Sequence, residues 1–350
     1  MTAEPWRTAT AALAVGLVIS LVFNVVGSGN GPQPPGDPTL TDLSTTTTTS
    51  NQSTTTDAES RSPTTAPGSP PPGGAVVGIK VDNAPGARPQ VGIGEASLLV
   101  EYPVEGGLTR FTAVFPREAS GLVGPIRSLR PVDADLLPAI APIVVSTGGR
   151  PFVLQDVEAA GMNSITVGLS SMFVSLGRSD PHDTFVDLEV VGSILDDSLL
   201  PADGGLPSLR TFPPMSAEAG EIEMPFGSMR FIYQPDTGYV RQQDGQPFEV
   251  LDLTGANASP LSHDTLVVVF AAERSAGYTD SNDAPVSTFD VIGAGDLLVF
   301  HRGEVLAGTW SRSALADGFV FSDERGEPFG LPGGQTYLAV VSRDSVVTYR

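Results

Sequence analysis

Between Gly27 and Gly74, 35 of 48 residues are Ser, Thr, Pro or Gly. The run STTTTTSNQSTTT within this stretch offers almost no apolar surface, so nothing offsets the entropy of ordering it. Folding is therefore confined to what flanks it. On the C-terminal side that leaves residues 75–350, enough for two ordinary domains. The stretch itself reads as a disordered linker over 27–74. A flexible chain of that length has an end-to-end distance of about 40 Å, and the Pro-rich SPPPGG stiffens the end next to the folded part.

On the N-terminal side, Ala9–Val26 is an uncharged run of 18 residues, ATAALAVGLVISLVFNVV. That is just long enough to span a bilayer core. Arg7 before it gives a weak positive-inside cue. The expected topology is a short cytoplasmic N-terminus (1–8), a single transmembrane helix (9–26) and an extracytoplasmic bulk held at the cell membrane. The alternative is a signal peptide cleaved near VVGSG. Both place the remainder outside the cytoplasm.

Charge narrows the partners. Residues 1–74 carry a net −3, residues 75–183 another −3, and residues 184–350 the remaining −15 of the total −21. A surface that acidic repels nucleic acid, so no nucleic-acid partner is expected. There is no cysteine. Disulfides, thiolate metal sites, thiol nucleophiles and a lipid-modified cysteine are thereby excluded. The three histidines, His182, His263 and His301, are scattered, which argues against a His-based metal site, and no cofactor is expected. All basic residues but Lys80 are arginine, so arginine is informative only by position.

Along the folded part, VVGIKVDN reads as a strand. SLLVEYPV and TRFTAVF flank EGGL, where Gly106-Gly107 supply positive φ for a hairpin. PVDADLLPAIAP predicts a short helix with Pro131 in its first turn, and IVVS a strand. GGRPFVLQDVEAAG predicts a helix opened by Pro151, ended by Gly161, and facing inward through Phe152, Leu154 and Val157. From Met229 onward the pattern is all β, with turn signals every 8 to 12 residues. The fold expected is an α+β (or α/β) N-terminal domain over 75–205 and a mainly β C-terminal domain over 229–350. A Pro- and Gly-rich connector at 206–228 joins them. Trp310 and Phe319 read as core.

Four pieces of the first segment stand out: KVDNAPGARPQVGIGEASLLVEYPVEGGLTRF, GPIRSLRPVD, STGGR and GRSDPHD. The first two carry Asp82-Asn83, Ala87-Arg88-Pro89-Gln90, Glu101, Val104-Glu105-Gly106-Gly107, Thr109-Arg110-Phe111, Gly124-Pro125, Arg127-Ser128 and Arg130. At these residues the chain resembles the YerB-like family, known mainly as a domain of unknown function on bacterial envelope lipoproteins. The family's last motif, a Pro-His-Asn triplet, stands here as Pro181-His182-Asp183. A C-terminal G-x-G…G-x-W pattern is matched by Gly293-Ala294-Gly295 and Gly308-Thr309-Trp310. The resemblance covers about 76–350 and implies an envelope location. With no cysteine present, the anchor it implies is the helix. A weaker similarity of layout links the chain to the LytR-CpsA-Psr phosphotransferases, whose arginines grip a polyprenyl pyrophosphate.

Arg88, Arg110, Arg127 and Arg130 form a candidate clamp for a phosphate- or pyrophosphate-bearing envelope ligand, because guanidinium forks bind phosphate oxygens bidentately. Gly124 and Gly148-Gly149 would let backbone N–H groups approach the same anion. The competing reading pairs these arginines with Asp82, Glu101, Glu105 and Asp133. Asp82, Glu101 and Glu105 are also a candidate set for Mg²⁺. His182, between Asp180 and Asp183, has the look of an oriented base. Asn83 completes the candidate ligand set, and no catalytic residue is assigned. The function expected is a membrane-tethered binding or regulatory module of the envelope. The alternatives are an interaction protein with internally paired arginines and a LytR-CpsA-Psr-like phosphotransferase.

Overall fold

The run VVGIKVD forms strand β1, Val76–Asp82, in a computed structural model that describes residues 76–166, 173–175, 177–195, 206–207, 212–215, 217–280 and 283–350. The expected membrane helix and linker lie outside these residues. Among the described residues, no helix is long and apolar enough to cross a membrane. β1 is buried on both faces, which is why its run is largely apolar, with Lys80 and Asp82 as its buried charges. The expected hairpin is present as β2, Leu98–Pro103, and β3, Thr109–Pro116, in antiparallel register. Gly106 and Gly107 take φ of 69° and 71° in its turn, a conformation that only glycine adopts without strain.

IVVS is β4, Ile143–Ser146, parallel to β1, and the edge strand β5 is Asn163–Thr166. Helix α1, Pro131–Leu136, and helix α2, Pro151–Ala159, both begin at the anticipated prolines. The inward face of α2 differs from expectation. Val153 and Val157, one turn apart, are fully buried, whereas Phe152 is 41% exposed and lies against Tyr278.

In the second half, β6 is Met229–Gln234 and β7 is Gly238–Gln243. β8 is the 15-residue Thr265–Thr279, β9 is Pro285–Asp290 and β10 is Gly293–His301. β11 is Glu304–Arg312, β12 is Val320–Asp323 and β13 is Thr336–Ser342. The described chain is thus mostly β with few helices. One large sheet runs in the order β12-β11-β10-β8-β13-β2-β3-β1-β4-β5. β13 lies parallel to both β8 and β2, so strands from both sequence segments share this sheet. Within the 206–228 stretch, Ala217–Glu218 pairs with β11 and Glu221–Glu223 pairs with β6.

Strand alternation gives the large sheet two working faces. One carries Val77, Ile79, Val81, Phe111 and Tyr337 against a smaller sheet built on β6 and β7. The other carries Val100, Tyr102 and Val144 under α1 and α2, with Trp310 and Phe319 in the same core.

Because β13 joins the two segments, cutting the chain at a protease site engineered near residue 210 is expected to leave both fragments associated. Gel filtration of the cut protein checks this. Co-elution until denaturant is added is the expected result, and separate elution of two folded pieces would contradict it.

Candidate functional site

β3 leaves its turn with Thr109, Arg110, Phe111 and Thr112 alternating between the two faces. Arg110 stands opposite Asp82 on β1 and Tyr102 on β2. Thr109 and Phe111 point the other way, toward Glu101 and the smaller sheet. The residues singled out in the sequence therefore fall into two groups on opposite faces.

At the end of β1–β3 on the helix-bearing face, Lys80, Arg127 and Arg130 each have a carboxylate, and Arg110 does not. Lys80, wholly buried, donates to Asp133 Oδ1 at 2.9 Å and Thr112 Oγ1 at 3.0 Å, and it also contacts the Tyr102 hydroxyl. Asp133 Oδ2 meanwhile accepts from the Arg130 backbone N–H at 2.7 Å, fixing the start of α1. Burial pulls the Lys80 ammonium down to about 8, against the pull of Asp133. Arg127 Nε donates to Asp82 Oδ2 at 2.9 Å. Arg130 Nε donates to Glu105 Oε1. Burial works against Asp82's charge, but Arg110, the Ala84 N–H, Arg127 and His182 outweigh it and hold the carboxyl below its ordinary range.

Arg110 is the exception. It is 6% exposed, and among the described residues no carboxylate forms an ion pair with it. Its Nη1 donates to the Ser128 carbonyl at 3.0 Å, and its buried Nε has no partner. Burial, then repulsion from Arg130 and Arg127, pull its guanidinium down to about 10, and Asp82 offsets this only in part. The GPIRSLR loop closes over it. Thr147 N–H donates to the Arg127 carbonyl, Leu129 N–H donates to the Gly148 carbonyl, and the Ser128 and Thr147 hydroxyls lie 3.0 Å apart. Arg127 and Arg130 keep 28% and 19% of their side chains exposed.

His182 lies at the same end of β1. Its ring packs on Gly86, where a Cβ would come within 3.0 Å. Its Nδ1 is 3.1 Å from Asp82 Oδ2 but too poorly aligned for a hydrogen bond. The acid beside it is thus Asp82, not its neighbour Asp183, which accepts from Thr184.

On the opposite face, Glu101 is fully buried and held bidentately by Arg241, with Nη2–Oε1 at 3.1 Å. The Tyr337 hydroxyl donates to it at 2.7 Å, Asn83 Nδ2 at 3.1 Å, and the Thr109 hydroxyl also donates. Arg241 is flanked by the rings of Phe111 and Phe248. Arg88 belongs here, donating to Asn83 and lying over Phe248, so it does not join the other three arginines. Gln90 completes the cluster, bonding the Asp82 carbonyl and Asn83.

Arg241 was not among the expected residues. The signal available was its strand register: it shares a face with Tyr239 in GYVRQQ, and an inward charge on a strand needs a buried partner. Asp82, Glu101 and Glu105 do not assemble as a Mg²⁺ set, because each faces a different arginine. No group of three or more metal-ligating side chains exists among the described residues.

A large mixed sheet with helices on one face, a smaller sheet on the other and a charged cluster on each side of β3 defines a recognisable class. The N-terminal domain model of the protein of unknown function family DUF3048 matches residues 65–199, and its C-terminal domain model matches 222–338. Together they take in more than two thirds of the chain, and the chain belongs to this family. It is 22% identical over 278 residues to YerB, a candidate lipoprotein of Bacillus subtilis (strain 168), covering 76% of this chain and 80% of that one. The crystal structure of the YerB protein from Bacillus subtilis matches with a TM-score of 0.63 at 21% identity, covering 79% of this chain and 94% of that one. The likeness of structure concerns the fold. The family expected from the DN, ARPQ, VEGG-x-TRF and GP-x-RS-x-R motifs is the family found.

Two outcomes follow from the Glu101 cluster. Arg241→Met leaves a buried carboxylate without its cation and is expected to cost about 3–5 kcal/mol in chemical denaturation. A loss under about 1 kcal/mol would show that the pair carries little. Beside it, burial and then Arg241 push the His263 imidazole down to about 3. Between that value and the ordinary 6.5, the unfolded chain binds a proton that the folded protein does not. Stability is therefore lost as pH falls through this window. Relative to His263→Phe, the native protein is expected to lose roughly 1.4 kcal/mol more per pH unit between about pH 5.5 and 4. Parallel slopes would contradict it.

Proposed function

We propose that the protein is an extracytoplasmic, membrane-tethered module of the cell envelope. It receives a phosphate- or pyrophosphate-bearing group at Arg110, with Arg127 and Arg130 at the rim. The observation that carries this reading is the imbalance at the end of β1–β3. Lys80, Arg127 and Arg130 each have a carboxylate, and Arg110 has none. A buried guanidinium with an unpartnered Nε beside two other cations is costly unless an anion completes it. The anchor in this reading is Ala9–Val26, since the chain has no cysteine to carry a lipid.

A second reading has its own support. Arg127 and Arg130 are already paired, as in an interaction protein whose arginines serve its own architecture. Thermal denaturation of the full-length protein in detergent separates the two. Pyrophosphate at 100 times Kd is expected to stabilise the native protein by about 2.7 kcal/mol. Arg110→Met should abolish that shift while costing the unliganded protein much less than a broken ion pair, because it removes one hydrogen bond to the Ser128 carbonyl and a charge facing Asp82 that Arg127 still pairs. No shift with pyrophosphate, together with a loss of about 3–5 kcal/mol in the unliganded variant, would overturn the anion site and leave the interaction reading standing.

A further inference from the structure

A cavity lies apart from Arg110, Arg127 and Arg130, between α1, α2 and the outer half of the β8–β9 hairpin. Its volume is about 420 Å³, within the range of small-ligand sites. It exists because the facing elements present small side chains there: Ala134 from α1, Ala159 and Ala160 at the end of α2, and Ala276 from β8. Phe152 and Leu315 supply its larger apolar walls.

Its polar lining is unbalanced. Asp135, Asp156 and Arg274 face the cavity. Arg274 Nε is committed to Asp290 at 2.6 Å, and its Nη2 comes only within 3.9 Å of Asp135. Arg312 spends its guanidinium on the carbonyls of Asp135, Leu136, Leu315 and Asp317. Two carboxylates, Asp135 and Asp156, and one guanidinium, already committed to Asp290, line the cavity, so its lining carries a net negative charge. Burial, and the charges of Asp156 and Asp290, push the Asp135 carboxyl up, although Arg274 and Arg312 oppose it. A separate observation concerns Thr288, which lines the same cavity. Its side chain is 1% exposed, and its Oγ1 has no hydrogen-bond partner. A buried hydroxyl left unbonded is destabilising, and Thr288 is thus free to bond an incoming polar group.

We propose that this cavity is a binding site for a ligand carrying an alkylammonium group on a compact apolar body, such as a lysine side chain of a peptide. The ammonium sits between Asp135 and Asp156, the alkyl stem lies on Phe152, Leu315 and the alanines, and Thr288 serves the ligand's polar end. An ammonium suits the place better than a guanidinium because it is a compact charge on a flexible stem.

Calorimetric titration of the full-length protein in detergent with Nα-acetyl-lysine amide, and with its neutral counterpart Nα-acetyl-norleucine amide, tests this. The lysine compound is expected to bind at least about tenfold more tightly. Asp135→Asn with Asp156→Asn should erase that preference. Ala159→Phe, at an exposed helix position, should fill the cavity and weaken both compounds while leaving the melting midpoint and the response to pyrophosphate unchanged. Equal affinity for the two compounds, no binding of the lysine compound at its solubility limit, or binding indifferent to Ala159→Phe would each overturn the proposal.

Discussion

Strand β3 sends successive side chains to opposite faces of the sheet, and the charged organisation of the molecule depends on that alternation. Arg110 and Thr112 go to the helix-bearing face, while Thr109 and Phe111 go to the face covered by the smaller sheet. Buried charge on either side must then be matched locally, because a low-dielectric interior makes an unpaired ion expensive. Lys80 with Asp133 meets that requirement on one face, and Glu101 with Arg241 meets it on the other. Asp133 does two things at once: its second oxygen holds the Arg130 N–H and so sets where α1 begins. The position of Arg130, and through it Glu105, follows from a lysine in the middle of β1.

Much of the fold was legible because it rests on local chemistry. The prolines at 131 and 151 open helices, Gly106-Gly107 turn the hairpin, and the period-2 runs after Met229 are strands. The insertion of β13 between β8 and β2 was not legible, since nothing within Thr336–Ser342 records its neighbours. For the same reason the sequence shows a change of pattern near residue 200 where the structure has one continuous sheet. Phe152 was misplaced because the inward stripe of α2 runs through Val153 and Val157, and an aromatic next to such a stripe satisfies the same loose count.

The charged cluster was half legible. Motif spacing brought Asp82, Arg110, Arg127 and Arg130 together correctly, because they lie on paired strands and the loop that closes over them. It also grouped Arg88 and Glu101 with them, although the parity of β2 sends Glu101 to the far face and Arg88, in the loop after β1, turns to Asn83 there. Arg241 was missed because its partner lies 140 residues away. The acidity of the second half, −15 over residues 184–350, makes the cluster around Arg110 a local exception in a negative protein. An anion reaching it would be drawn by short-range pairing rather than by the field of the whole molecule.

The central proposal is that Arg110, a buried cation without a carboxylate among the described residues, takes its anion from outside. Diffraction from crystals soaked in selenate, a phosphate-sized anion with a measurable anomalous signal, tests it directly. An anomalous peak is predicted within hydrogen-bond distance, about 3 Å, of the Arg110 guanidinium, with Arg127 or Arg130 as a second contact. A structure in which Arg110 is instead bonded to one of the protein's own carboxylates, with selenate bound only elsewhere, would contradict it.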